Sequence, residues 1–159
     1  MKTFLCILAA TFALFFSVEA KAAVPDGTII SASAIAPLAR WVENTSHMKI
    51  RALPIVTASG LRLKTSLGLQ GVQQARSVAA YLPGHIIINN IMWDPESPSA
   101  KSYLVHEMVH HAQTLAGKKY PCHDAKEREA YVLQNKWLVE QGEDPIYEQE
   151  WINEVSACH

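Results

Sequence analysis

The sequence predicts an α+β domain in which a small antiparallel or mixed sheet is joined by an N-terminal helix and two later helices. Three observations predict it. Two β-prone runs, Ala75–Leu82 and His85–Trp93, flank Pro83-Gly84 as the arms of a hairpin would. Apolar residues from Leu104 to Leu115 recur at helical spacing, and a second helical stretch from about Ala125 to Gln141 stops at Gly142. With 159 residues, 49% hydrophobic and 18% charged, the chain has the size and balance of one globular domain.

The N-terminus reads as an address. Met1-Lys2 precedes an apolar run from Phe4 to Val18 and then small residues, the pattern of a secretory signal over residues 1–22, with small-x-small cleavage after Ala20 or Ala22. The apolar run falls short of the ~20 residues that a membrane span needs. Cys6 lies inside it, too near the start for a lipid-attachment cysteine. The expected product is a single domain over 23–159, secreted or periplasmic, with 12 basic and 14 acidic side chains. That balance offers no basic face for nucleic acid. We expect a monomer without a further membrane span. Two cysteines remain, Cys122 and Cys158, and in an exported chain an even pair is most simply a disulfide.

Each element has a local reason. Residues 23–31 are expected to be extended, with Ser31 or Ser33 capping a helix that runs to about Met48 on Ile35, Leu38, Ala39, Trp41 and Val42. Residues 51–57 read as a strand ended by the turn signal Ser59-Gly60. Residues 60–75 are weakly patterned and are left unassigned apart from a short strand near 67–73. Asp94-Pro-Glu-Ser-Pro breaks the hairpin's second arm, Ser97 is the expected N-cap and Pro98 the first helical residue, and the helix should end near Gly117. Asp124 is expected to cap the next helix. Ile146, Tyr147, Trp151, Ile152 and Val155 suit a short last helix. Trp41, Trp93, Trp137 and Trp151 are expected in the core, and His85 and His159 at the surface.

The chemistry concentrates in one of these helices, where His106-Glu107-Met108-Val109-His110 forms an H-E-x-x-H arrangement within an apolar run. Residues four apart on a helix are offset by about 40° and one turn, so two imidazoles can share one ion. Glu107 lies about 100° further round the axis and flanks that ion, where it can take a proton from metal-bound water. A catalytic zinc takes three protein ligands and keeps the fourth position open. The third donor is to be sought among Glu127, Glu129, Asp124, His123 and His111. His111 points away from the face of His110, and Glu129 projects roughly 160° from Glu127. Glu127 fits best, one turn into the next helix with Ala130, Tyr131 and Gln134 on its face.

His106-Glu107-x-x-His110 followed by Glu127-Arg-Glu-Ala130-Tyr131 resembles the zincin metallopeptidases of the gluzincin type, above all their small exported bacterial members. The metzincin pattern is excluded, because Gln113 and Ala116 stand where it needs Gly and His. The resemblance covers about residues 76–138. It implies a zincin-like fold, Zn²⁺ held by His106, His110 and Glu127, Glu107 as general base, and strand 85–92 as the edge strand that pairs with an extended peptide. The function implied is zinc-dependent hydrolysis of peptide bonds in the cell envelope or outside the cell, with a peptide or envelope protein as substrate. The alternative is a catalytically inactive zinc- or peptide-binding envelope module. Tyr120, His123 and Tyr131 are the candidate oxyanion donors. Tyr131 stands where larger relatives often have Asp, which leaves the partner of a zinc histidine unassigned.

Overall fold

A computed structural model of the chain describes residues 23–67 and 78–159. The expected leader over 1–22 and most of the short strand expected near 67–73 lie outside these residues. The elements are β1 (Thr28–Ile29), α1 (Ala32–Ser46), β2 (Ile55–Ala58), α2 (Gly60–Leu67), β3 (Ala79–Leu82), β4 (His85–Ile88), α3 (Pro98–Leu115), α4 (Glu127–Glu140) and α5 (Gln149–Val155). The fold is α+β with a mixed four-stranded sheet in the order β1-β2-β4-β3. β2 and β4 run parallel, and the two outer pairs are antiparallel.

The isoleucines of β4 explain its place. Ile86 and Ile88 enter the main core with Ile35 and Val42 of α1 and Leu104, Val105 and Met108 of α3, while Ile87 faces the other way onto Leu63 of α2 and Ala80 of β3. A strand apolar on both faces belongs in the middle of a sheet. This corrects the expectation that 85–92 is the edge: β4 is paired on both sides, it stops at Ile88, and among the described residues β3 is the edge beside it. Beyond Ile88 the chain turns, with the Asn89 side chain accepting from Ile91 N and the Asn89 carbonyl from Met92 N and Trp93 N.

Other boundaries shift for local reasons. Ser31, and not Ser33, caps α1 through Ala34 N, and the helix ends at Ser46 because His47 turns left-handed at φ 59°. β2 begins at Ile55 and not at 51, because Pro54 has no N–H to offer a ladder. The unassigned stretch from 60 holds α2, whose first turn is closed by Ser59 Oγ accepting from Arg62 N. Ser97 and Pro98 start α3 as expected, and Gly117, at φ 61°, lets Lys118 N reach back to Gln113 O. Asp124 does not cap α4. It opens a 3-10 turn, Asp124–Lys126, and α4 proper begins at Glu127 without a side-chain cap.

Cys122 and Cys158 form a disulfide, with Cα atoms 5.7 Å apart. It joins the loop before α4 to the segment after α5. Asn135 of α4 holds the same tail by accepting from Ile146 N and Tyr147 N and donating to Tyr147 O at 2.7 Å. Trp93 and Trp137 are buried and Trp41 packs edge-on against Trp137. Trp151 departs from the core expectation: it is exposed and stacks on Tyr147 at 14°. His85 is half-buried and His159 exposed. No helix among the described residues is long and apolar enough to cross a membrane.

Candidate metal centre

Helix α3 brings the two histidines of the motif to the face that meets α4. Leu104, Val105, Met108, Val109 and Ala112 are fully buried in the core, which fixes the roll of the helix, and His106 and His110 follow on the adjoining stripe. Ala130, also fully buried, offers only a methyl group and lets α4 approach closely. Glu127, the first residue of α4, then reaches both imidazoles.

His106 Nε2 and His110 Nε2 are 3.2 Å apart, and Glu127 Oε2 lies 3.2 Å from the first and 3.0 Å from the second. These three groups could hold a metal ion, and both histidines are buried. The spacing suits one: a tetrahedral ion with bonds of about 2.0–2.1 Å to N and O sets its donors about 3.3 Å apart. Two nitrogens and a carboxylate oxygen are also the donor types that zinc accepts. Burial opposes a charge on Glu127, yet its contacts with His106 and His110 outweigh that and hold the carboxyl well below the usual range. Burial likewise opposes a charge on His110, but Glu127 and Glu107 outweigh it and raise its pKa. Both shifts mean that the triangle draws positive charge to itself.

Glu107 is not part of the triangle. It lines a cleft of about 180 Å³ together with His106, Tyr103, Tyr131, Tyr147, Val78 and Ala79. Burial pushes its carboxyl above the ordinary value, against the pull of the two histidines. Tyr131 packs on His106 with ring centroids 4.5 Å apart, and burial together with the Glu127 and Glu107 carboxylates raises its phenol to about 12. A larger hollow of about 440 Å³ between α2 and the β3–β4 hairpin gathers, among the described residues, only Arg62 and His85 as ionisable groups.

The remaining candidates fall elsewhere. Glu129 is not simply solvent-facing as its angle suggests: it accepts from Lys118 at 2.9 Å, Gln113 at 3.0 Å and Tyr120 at 3.3 Å. Tyr120 is thereby tied to Glu129, and it lies outside the cleft that Glu107 lines. His123 and Asp124 are exposed and outside the triad. His111 turns to the opposite side, its Nε2 donating to Ala52 O at 2.8 Å and its ring against Tyr81.

Sequence reasoning left the partners of the two histidines open, and they are glutamines. His106 Nδ1 meets Gln134 Oε1 at 3.1 Å, and His110 Nδ1 meets Gln113 Oε1 at 3.0 Å. The signal was available: Gln113 follows His110 by three residues, and Gln134 follows Glu127 by seven, two turns along the same face. Tyr103 and Tyr147 of the cleft carried no such signal. A family model described as Domain of unknown function (DUF6647) matches residues 28–159. No curated protein and no solved structure matches the chain.

Proposed function

We propose that this chain, which belongs to the DUF6647 family, is an exported zinc-dependent hydrolase that cleaves peptide bonds. The observation that carries the reading is the convergence of His106, His110 and Glu127 within 3.2 Å of one another, with Glu107 beside them in an open cleft. Three protein donors leave a tetrahedral ion one position for water or substrate, whereas a structural zinc closes all four. Zinc bound there supplies Lewis acidity and lowers the pKa of water toward neutrality.

The chain's own groups supply the rest. Glu107, its carboxyl raised by burial, receives a proton from the attacking water and returns it to the leaving amine. Tyr131 lies in the same cleft and its phenol is the best placed of the expected oxyanion donors, Tyr120 being engaged by Glu129. The edge strand for an extended substrate is β3. Val78 O accepts from Asn89 N, so by the alternation of an antiparallel ladder the N–H and C=O groups of Ala79 and Tyr81 point away from β4. Ala79 also lines the cleft, which sets a paired peptide alongside Glu107. The disulfide suits export to an oxidising compartment.

Replacing Glu107 with Gln tests the reading. Zinc binding should survive while peptide hydrolysis falls by 10²-fold or more. Hydrolysis at the wild-type rate would refute it. The small cleft of about 180 Å³ favours a second reading, a zinc-dependent peptide-binding module without turnover, which is the outcome if metal and peptide bind but no cleavage is seen.

A further inference from the structure

We infer that Gln113 and Gln134 are positioning residues that lock both imidazoles of the centre in one tautomer, so that their Nε2 lone pairs converge on the same point. The inference rests on the metal-binding part of the proposed function and is independent of hydrolysis. It follows from counting protons outward from the triangle.

The Ser102 hydroxyl donates to Ser99 O at 2.7 Å, so toward Gln134 it can only accept. Gln134 Nε2 is therefore the donor to Ser102 at 3.2 Å, and the carbonyl end of the amide faces His106. A carbonyl oxygen has no proton to give, so His106 Nδ1 at 3.1 Å carries it.

On the other histidine the same result arises from different groups. Gln113 Nε2 donates to Lys126 O and to Glu129 Oε2, both at 3.0 Å and both acceptors, which again leaves the carbonyl to the imidazole. His110 Nδ1 at 3.0 Å is the proton carrier. Glu129 is held in turn by Lys118 Nζ at 2.9 Å.

In their neutral form both imidazoles thus present lone pairs at Nε2, and Glu127 adds a carboxylate oxygen. A single proton inside the triangle could satisfy only one of its three edges. A divalent cation satisfies all three at once, and the glutamines make that arrangement the resting one. The two locks differ in their endings. That of His106 runs through Gln134, 1% exposed, to the fully buried Ser102, whereas that of His110 closes on an ion pair whose lysine side chain is 41% exposed.

The test is zinc and cobalt(II) titration of the full disulfide-bonded chain, with circular dichroism and a melting curve of each metal-free variant. Gln134→Leu keeps the volume and removes the acceptor; it should weaken zinc binding 10- to 100-fold and shift the cobalt(II) visible spectrum. Gln134→Glu restores an acceptor and should recover most of the affinity, which a space-filling role would not produce. Ser102→Ala frees the amide to rotate and should give a smaller loss, and it serves if Gln134→Leu does not fold. Gln113→Leu should lose less than Gln134→Leu, since its lock is nearer solvent. Folded leucine variants that bind zinc as the wild type does would overturn the lock alone. Wild-type chain that binds neither ion would overturn the metal centre itself.

Discussion

On one side of α3, Leu104, Val105, Met108, Val109 and Ala112 are excluded from water and need nothing but contact with α1, the sheet and α4. On the stripe beside them His106, His110 and Gln113 are nearly as deeply buried, and each is tied by hydrogen bonds to α4 or to another member of the set. Burial is the same, but the cost is not. A buried apolar side chain gains free energy from leaving water, while a buried polar one at best recovers what it lost. The apolar stripe therefore stabilises the fold, and the polar stripe adds little to it. His111 shows how local the division is: adjacent to His110 and 3% exposed, it donates to Ala52 O from one nitrogen and leaves the other without a hydrogen-bond partner among the described residues.

If that division is right, substitutions on the two stripes should separate stability from metal affinity. The largest effect belongs to the apolar stripe. Met108→Ala should lower unfolding free energy by about 2–5 kcal/mol in urea titrations while zinc stoichiometry stays at one. Glu127→Ala should do the reverse: at least a hundredfold loss of zinc affinity by competition with a chromogenic chelator, about 2.7 kcal/mol, with little change in the melting temperature of the metal-free chain. A metal-free melting temperature that collapses with Glu127→Ala would erase the distinction. His111→Leu should cost about 1 kcal/mol by leaving Ala52 O without its donor, and leave zinc binding untouched; a loss of metal would place His111 in the centre.

The smallest effect lies far from both stripes. Glu140 accepts from Trp41 Nε1 at 2.7 Å and pairs with Lys136 on an exposed surface, and these contacts lower its carboxyl. A lowered carboxyl contributes stability above its unfolded value and loses it as pH falls through the folded one. Denaturation midpoints of wild type and Glu140→Gln should differ slightly near neutrality and converge in acid; a gap that widens in acid would contradict the assignment.

Much of this was legible in the chain. The helix carrying His106 and His110 announced both ends through Ser97-Pro98 and Gly117, and Glu127 was reachable because Ala130 and Gln134 marked the face that α4 turns inward. The disulfide followed from an even pair of cysteines. What misled was β4. His85-Ile-Ile-Ile has the unbroken apolarity of a central strand, but the resemblance to the gluzincin-type zincins assigned it to the edge, and only the parallel pairing with β2, 30 residues away in sequence, decides the matter. α2 was hidden because Gly60 opens it and its cap is a single serine. Tyr147 reaches the cleft from a tail held by Asn135 and the disulfide, a long-range placement that no local pattern encodes.

The mixed sheet also bears on how the chain finds its structure. The turn between β3 and β4 pairs Leu82 with His85, whereas β2 must bring Ile55 to that same His85. Going from a separation of three residues to one of thirty is a little over three doublings, about 2 kcal/mol of additional closure entropy at ~0.6 kcal/mol each. The hairpin accordingly forms early and serves as a template, and the second pairing of β4 waits for the slower arrival of the N-terminal half. Pulse-labelled amide exchange should find Ile87, whose N–H points to β3, protected before Ile86 and Ile88, whose N–H groups point to β2.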